Sequence, residues 1–171
     1  MTREQYTRKL ESLNYPVIGK GMFANVFAIP HKPDKVVKVA SLDNWPTYIK
    51  WATQNGFAGK FAPKVESLTF YDGFYVAVME RLVATMHDLG PSNSDQKEFY
   101  RQLNWNTDTR KGATKLARFW KKLQDHGLSG DLHPGNVMVR KDGQIVITDP
   151  TSRPFSSKKF KIRRGKIIAK P

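Results

Sequence analysis

The run Ser129-Gly130-Asp131-Leu132-His133-Pro134-Gly135-Asn136, followed by Thr148-Asp149-Pro150, constrains this chain more than any other segment. Between the two lie Val137-Met138-Val139 and Ile145-Val146-Ile147, short runs of strand formers joined by Arg140-Lys141-Asp142-Gly143. Asp-Gly between apolar runs is a hairpin signal, because glycine accepts the positive φ that such turns need. A hairpin here brings Asn136 and Asp149 side by side. The alternative is a polar loop beside an ordinary hairpin, with Pro134 and Gly135 as punctuation. The residue types suit phosphoryl transfer from ATP, in which one Asp orients an acceptor hydroxyl while an Asn and a second Asp hold Mg²⁺ on the phosphates.

Upstream, Ile18-Gly19-Lys20-Gly21-Met22-Phe23-Ala24-Asn25-Val26 forms a glycine-rich turn, with Ala24 where a third glycine often stands. Such a turn lets backbone N–H groups approach phosphates closely. Val36-Val37-Lys38-Val39 then reads as a strand carrying one lysine. A lone G-x-G fits any tight turn, and a lone strand lysine is usually just solvated. Glycine turn, lysine, Asp-x-His-x-Gly-Asn loop and second Asp in this order are much harder to obtain by chance.

On these residues the chain resembles a small protein-kinase-like domain over residues 15–150. It is particularly similar to the early-expressed serine/threonine kinases of short-tailed bacteriophages, which help the phage shut off host transcription. The shared features are the glycine loop ending in Phe23-Ala24, the Val37-Lys38-Val39 strand, the Asp131–Asn136 loop, and Ile147-Thr148-Asp149-Pro150 in place of Asp-Phe-Gly. Asp-Leu-His-Pro-Gly-Asn also occurs in aminoglycoside- and choline-kinase-like enzymes. The resemblance implies Asp131 as catalytic base, Asn136 and Asp149 as Mg²⁺ ligands, and Lys38 on the α- and β-phosphates of ATP. It implies a nucleotide site built from Gly19, Lys20, Gly21, Phe23, Ala24, Val26 and Lys38. Met79, Glu80 and Leu82 would form an adenine-facing hinge, against the plainer reading of that stretch as an edge strand.

The chain departs from the kinase pattern in several places. His133 stands where a lysine usually follows the catalytic Asp; it could still donate to a phosphate, and need not be charged at neutral pH. Gly130 replaces the arginine that captures an activation-loop phosphate. The helix glutamate that normally pairs with the strand lysine is missing. Asp43, before Trp45-Pro46, reads as a helix N-cap region residue. Gln54 and Glu66 are the candidates to replace the glutamate, or Lys38 has no carboxylate partner at all. No Ala-Pro-Glu segment follows Pro150.

The expected architecture is α+β: a reduced bilobal kinase-like fold with a five-stranded antiparallel N-lobe sheet, one N-lobe helix, and a small helical C-lobe holding the catalytic hairpin. The kinase-like domain covers 1–155, with the N-lobe at about 1–80 and the C-lobe at about 83–155; residues 156–171 form a basic tail. A short helix is expected at 2–13, strands at 17–19, 24–29, 35–40, 64–70 and 74–81, and a helix at 46–54. Further helices are expected at 94–104 and 110–126; in the latter, Ala113, Leu116, Ala117, Trp120 and Leu123 fall at core spacing.

Composition narrows the setting. With 171 residues, 39% of them hydrophobic, the chain can bury a real core. It contains no cysteine, which fits an intracellular, cytoplasmic setting better than a disulfide framework. No apolar leader opens it and no segment reaches membrane-spanning length, so no membrane partner is expected. The net charge of +14 is uneven: residues 153–171 hold eight Lys or Arg and no acid. Arg110, Lys111, Lys115, Arg118, Lys121 and Lys122 add a basic helix side. One reading is docking to nucleic acid or an acidic protein surface such as a transcription complex; the plainer one is a solvated face and a tail. Interspersed Phe155, Phe160, Ile162, Ile167 and Ile168 allow part of the tail to pack or form a strand. Thr151, Ser152, Ser156 and Ser157 are candidate autophosphorylation acceptors.

The leading expectation is therefore phosphoryl transfer to Ser or Thr of host proteins. The rivals are a nucleotide-binding pseudokinase that inhibits a host protein by binding, and a small-molecule kinase.

Overall fold

The computed structural model describes residues 1–85, 115–151, 160–163 and 166–169. The helix expected at 94–104, the start of the one expected at 110–126, and Ser152, Ser156 and Ser157 lie outside these residues. The chain divides into two units. The first comprises Met1–Pro46, Lys64–Arg81 and Arg153–Pro171; the second comprises Thr47–Pro63 and Leu82–Ser152.

In the first unit, α1 (Arg3–Ser12) is capped by Thr2, whose hydroxyl accepts the Gln5 N–H while the Gln5 side chain accepts the Thr2 N–H. This reciprocal pair satisfies two of the donors that every helix start leaves open. Asn14, at φ 57°, closes the other end in the left-handed conformation that asparagine tolerates. Five strands follow: β1 (Val17–Lys20), β2 (Ala24–Ile29), β3 (Lys32–Ser41), then β4 (Val65–Phe70) and β5 (Phe74–Glu80) after an intervening helix. They form one antiparallel sheet in the order β1-β2-β3-β5-β4, and the fold is α+β. β3 starts three residues earlier than expected. A bulge between Ala28 and Ile29 in the β2–β3 ladder absorbs Pro33, and the turn is made instead at His31, with φ 62°.

Strand alternation gives the sheet two different faces. Phe27, Val37, Val39, Phe74 and Val76 point to one side, where they pack with Leu10 of α1 and with Tyr6, Tyr15 and Tyr71. Tyr71 and Phe74 stack there, with ring centroids 4.6 Å apart. Burying each such side chain contributes about 1.5–3 kcal/mol, so α1 is integral to the unit. The other face carries Val26, Ala28, Val36, Lys38, Ala77 and Met79, aligned in cross-strand rows: Val26–Lys38–Ala77 and Ala28–Val36–Met79.

α2 (Trp45–Gln54) begins at Asp43, whose Oδ1 accepts the Trp45 N–H at 3.0 Å. In the second unit, α3 (Lys115–Asp125) ends at Gly127, whose φ of 65° a side chain would resist. Its buried residues are Leu116, Ala117, Phe119 and Leu123. Trp120, expected in the core, is only half-buried. Phe119 takes that place, with centroids 4.9 Å from Phe57, 5.6 Å from Phe61 and 6.0 Å from Trp51.

The expected hairpin is present: β7 (Val137–Val139) pairs with β8 (Ile145–Ile147) around Gly143, at φ 81°. A strand that local signals did not indicate, β6 (Ala84–Thr85), extends it by pairing with β7. In the basic C-terminal segment, β9 (Phe160–Arg163) and β10 (Lys166–Ala169) pair as a two-stranded hairpin. Among the described residues, no helix is long and apolar enough to cross a membrane.

Candidate active site

The second unit gathers Asp131, Asn136 and Asp149 through backbone bonds. The Asp131 N–H donates to the Pro150 carbonyl at 2.8 Å. The Thr148 N–H and hydroxyl both donate to the Asn136 carbonyl, at 2.8 and 2.9 Å. Asp149 is thus flanked by two residues, each bonded to the loop that carries the other two. The Asn136 side-chain amide donates to the Asp131 carbonyl at 2.9 Å and reaches Asp131 Oδ2 at 3.4 Å. That bond commits Nδ2 and leaves Asn136 Oδ1 as an acceptor. Thr151, buried, places its hydroxyl 3.5 Å from Asp149 Oδ1.

His133 is exposed, and its Nδ1 accepts the Gly135 N–H at 3.1 Å. In the neutral ring the proton then sits on Nε2, so His133 can donate a hydrogen bond without being charged.

A residue that sequence reasoning missed supports this cluster from α2. The fully buried Tyr48 donates its hydroxyl to the Ile147 carbonyl at 2.6 Å, two residues before Asp149. Burial, and secondarily the negative charge of Asp149, holds the Tyr48 phenol well above its ordinary range, so it stays a neutral donor. The Ile147 N–H in turn donates to the Phe61 carbonyl at 2.8 Å. Arg140 adds guanidinium bonds to the Lys60 and Ala62 carbonyls.

In the first unit, Gly19 faces Val26, Lys20 faces Asn25, and Gly21-Met22-Phe23 make the turn. The Gly21 N–H donates to the Ala24 carbonyl at 2.8 Å. The Phe23 carbonyl accepts from the Ser41 N–H and from Arg3 of α1, both at 2.9 Å. Among the described residues, the N–H groups of Met22 and Phe23 donate to no protein group. Neither Gly19 nor Gly21 has a positive φ. A Cβ on Gly19 would meet Val26 no closer than 3.5 Å, and one on Gly21 would meet the Ala24 carbonyl at 3.6 Å. The protein's own packing therefore does not demand glycine at either position. The pattern fits a loop kept bare for the close approach of an anionic ligand.

Lys38 is buried at 7% exposure, with Nζ 4.1 Å from the centroid of the Trp45 ring. Neither expected substitute for the glutamate serves it. Glu66 pairs with Lys35 at 2.7 Å. It occupies the bulge between Val65 and Ser67 in the β4–β5 ladder. Gln54 is exposed at the last position of α2, roughly 13 Å along the helix axis from Trp45 at 1.5 Å per residue.

At the expected hinge, Met79 is buried beside Val36. The Glu80 N–H donates to the Lys64 carbonyl at 3.0 Å and its carboxylate accepts the Lys64 N–H at 2.7 Å. Leu82 is buried, and among the described residues its N–H has no protein partner.

In the first unit the glycine turn suits an anionic ligand, and in the second the oxygen donors of Asn136 and Asp149 suit a divalent cation. Asn136 Oδ1 and the Asp149 carboxylate are hard oxygen donors, the kind that hold Mg²⁺ while phosphates and water complete its shell. Among the described residues, no group of three or more His, Asp or Glu forms a cage for a metal.

The family model described as bacteriophage T7 protein kinase 0.7 matches residues 3–168, nearly the whole chain, and the chain belongs to this family of phage protein kinases. A protein kinase draws its phosphoryl group from ATP, usually with a divalent metal. No curated protein matches the chain.

Proposed function

We propose that this chain transfers the γ-phosphoryl group of ATP to Ser or Thr hydroxyls of host proteins in the bacterial cytoplasm, within a reduced kinase-like fold. The observation that carries the reading is the bracketing of Asp149 by Thr148 and Pro150, which bond to Asn136 and Asp131. When bound, Mg²⁺–ATP supplies the phosphoryl group and an ADP leaving group. Asp131 orients the acceptor hydroxyl and takes its proton as the new P–O bond forms. Asn136 and Asp149 hold the cation. In the first unit, Lys38 and the turn amides of Met22 and Phe23 suit phosphate charge, and in the second so does the Nε2–H of His133. The stretch 79–82 would serve as the adenine-facing hinge, with Val26, Val36 and Met79 as apolar residues of the same sheet face.

For partners, we propose docking of an acidic surface, such as that of a transcription complex or a nucleic acid, on the basic side of the molecule. On α3, Lys115, Arg118 and Lys122 are exposed, whereas Lys121 is paired with Asp125 at 2.5 Å.

The test is incubation with labelled ATP, Mg²⁺ and a bacterial lysate, alongside thermal melting with and without Mg²⁺–ATP. Phosphoproteins should appear, and the melting temperature should rise because ligand binds only the folded state. Asp149→Ala should remove the metal-dependent part of that rise. No shift at millimolar ATP would reject the nucleotide site. A second reading, an inhibitory pseudokinase, is favoured by one feature: Glu66, a candidate replacement for the missing helix glutamate, pairs with Lys35 instead. Host inhibition persisting without phosphate transfer would establish it.

A further inference from the structure

Arg3 stands in the first turn of α1, where a cation opposes the helix dipole, so helix stability gives no reason for it there. Its side chain is nonetheless only 26% exposed, low for an arginine on a surface helix. Two groups hold the guanidinium in place. Nε donates to Glu4 Oε1 at 3.3 Å, and Nη1 donates to the Phe23 carbonyl at 2.9 Å and to the Ser41 hydroxyl oxygen at 3.0 Å. The Phe23 carbonyl also accepts the Ser41 N–H at 2.9 Å. One carbonyl thus ties the end of the glycine turn to both β3 and α1.

α1 is itself fixed to the sheet. Arg3, Tyr6 and Leu10 follow the i, i+3, i+7 spacing of one helix face. Tyr6 packs on Tyr71 and Phe74, with ring centroids 5.5 and 5.8 Å away, and Leu10 belongs to the buried cluster with Phe27 and Val37. Strand alternation puts that cluster on the face opposite the Val26–Lys38–Ala77 row. The anchor of Arg3 is therefore a helix seated on the face away from Lys38.

A glycine-rich turn has little side-chain packing to hold its shape, and ordering such a segment on binding costs affinity. A charge-assisted hydrogen bond, about twice as strong as a neutral one, can order it in advance. Here such a bond falls on Phe23, two residues from Gly21, whose N–H closes the turn on the Ala24 carbonyl at 2.8 Å.

We propose that Arg3 is a positioning residue of the glycine turn: α1 acts as a splint, and its arginine sets the turn in the shape that receives phosphate before the nucleotide arrives. The effect on the ligand rests on the nucleotide-site reading above; the bracing of the turn does not.

The test uses the whole protein with two readouts besides activity: amide hydrogen exchange by NMR without nucleotide, and calorimetric ADP affinity with Mg²⁺. In Arg3→Ala the Gly21 and Ser41 amides should exchange about tenfold faster, while amides of the β3–β5 ladder keep wild-type rates. ADP affinity should fall about three- to tenfold in the same variant. Arg3→Lys, which keeps the charge, should recover part of both losses. Arg8→Ala, which removes a like charge from an exposed site on α1, should match the wild type in both readouts. Should Arg3→Ala fail to fold, Arg3→Lys and Ser41→Ala, which deletes only the second acceptor of Arg3, still decide. Wild-type exchange at Gly21 and Ser41 in Arg3→Ala would overturn the proposal. So would protection lost equally across the β3–β5 ladder, which assigns Arg3 to general stability, or an equal loss of ADP affinity in Arg8→Ala, which assigns the effect to net charge. Faster exchange with unchanged ADP affinity would also overturn it and leave the kinase reading standing. No ADP binding by the wild type at millimolar concentration would overturn the nucleotide site, and with it the effect of Arg3 on a ligand, even where the turn is braced.

Discussion

Asp131→Asn exchanges one oxygen for an amide nitrogen in a loop whose shape does not depend on that oxygen. The bonds from the Asp131 N–H to the Pro150 carbonyl and from the Asn136 side-chain amide to the Asp131 carbonyl remain. The variant should fold and bind Mg²⁺–ATP, yet lose about 10²- to 10⁴-fold in transfer rate, the usual worth of a positioned base. Transfer assays beside nucleotide titration check this, and host toxicity surviving in the variant would favour the inhibitor reading. The glycines allow a complementary experiment. Since a Cβ at Gly19 or Gly21 meets only ordinary contacts, with its nearest neighbours at 3.5 and 3.6 Å, Gly→Ala at either position should leave the melting temperature unchanged or slightly raised. Nucleotide affinity should fall. Unchanged affinity in both variants would mean that no phosphate approaches this loop.

Among the elements, α2 carries the most consequence for its length. Tyr48 ties it to the end of β8 across 99 residues of sequence through one buried bond of 2.6 Å. Tyr48→Phe orphans the Ile147 carbonyl and should cost about 1–3 kcal/mol in denaturant unfolding. The raised phenol also sets a pH dependence. Unfolded tyrosine ionises near pH 10, while folded Tyr48 keeps its proton above that. Its contribution is fully present below pH ~10 and is lost as pH climbs from there towards the folded pKa, because the unfolded state then binds fewer protons than the native one. Stability measured from pH 8 to 11 should therefore fall at the alkaline end, and less steeply in Tyr48→Phe. Tyr6, raised first by burial and then by Tyr71, supplies part of the slope that remains.

The whole molecule is dominated by its charge of +14. Removing residues 156–171 deletes seven Lys or Arg and no acid. Association with a polyanion or an acidic protein should weaken, and its salt dependence should flatten, because fewer counterions are released. β9 and β10 pair with each other, so nucleotide binding should survive the truncation. Binding isotherms at several salt concentrations, with melting curves as the folding control, check both halves. Unfolding on truncation would assign the segment to the core instead of to docking.

What the sequence determined by itself was local. Two Asp-Gly turns, period-2 runs and a Thr-Gln capping box specify β4–β5, β7–β8 and the start of α1 through forces acting within a few residues. The convergence of Asp131, Asn136 and Asp149 was legible for the same reason: a short turn closed by the Gly143 N–H on the Arg140 carbonyl and a three-residue ladder leave little choice of register. Partners across the sheet and along α2 were decided by the tertiary structure. Strand parity places Lys38 on the face opposite Val37 and Val39, and a bulge in β4, which no local pattern announces, delivers Glu66 to Lys35. Helical spacing admitted Trp120 to the core as readily as Phe119, and the rings of Trp51, Phe57 and Phe61 chose Phe119. Trp45 beneath Lys38 and Tyr48 beneath Ile147 were invisible for one physical reason: each acts through a contact that exists only once distant segments have packed, and a one-dimensional pattern records spacing, not what lies opposite.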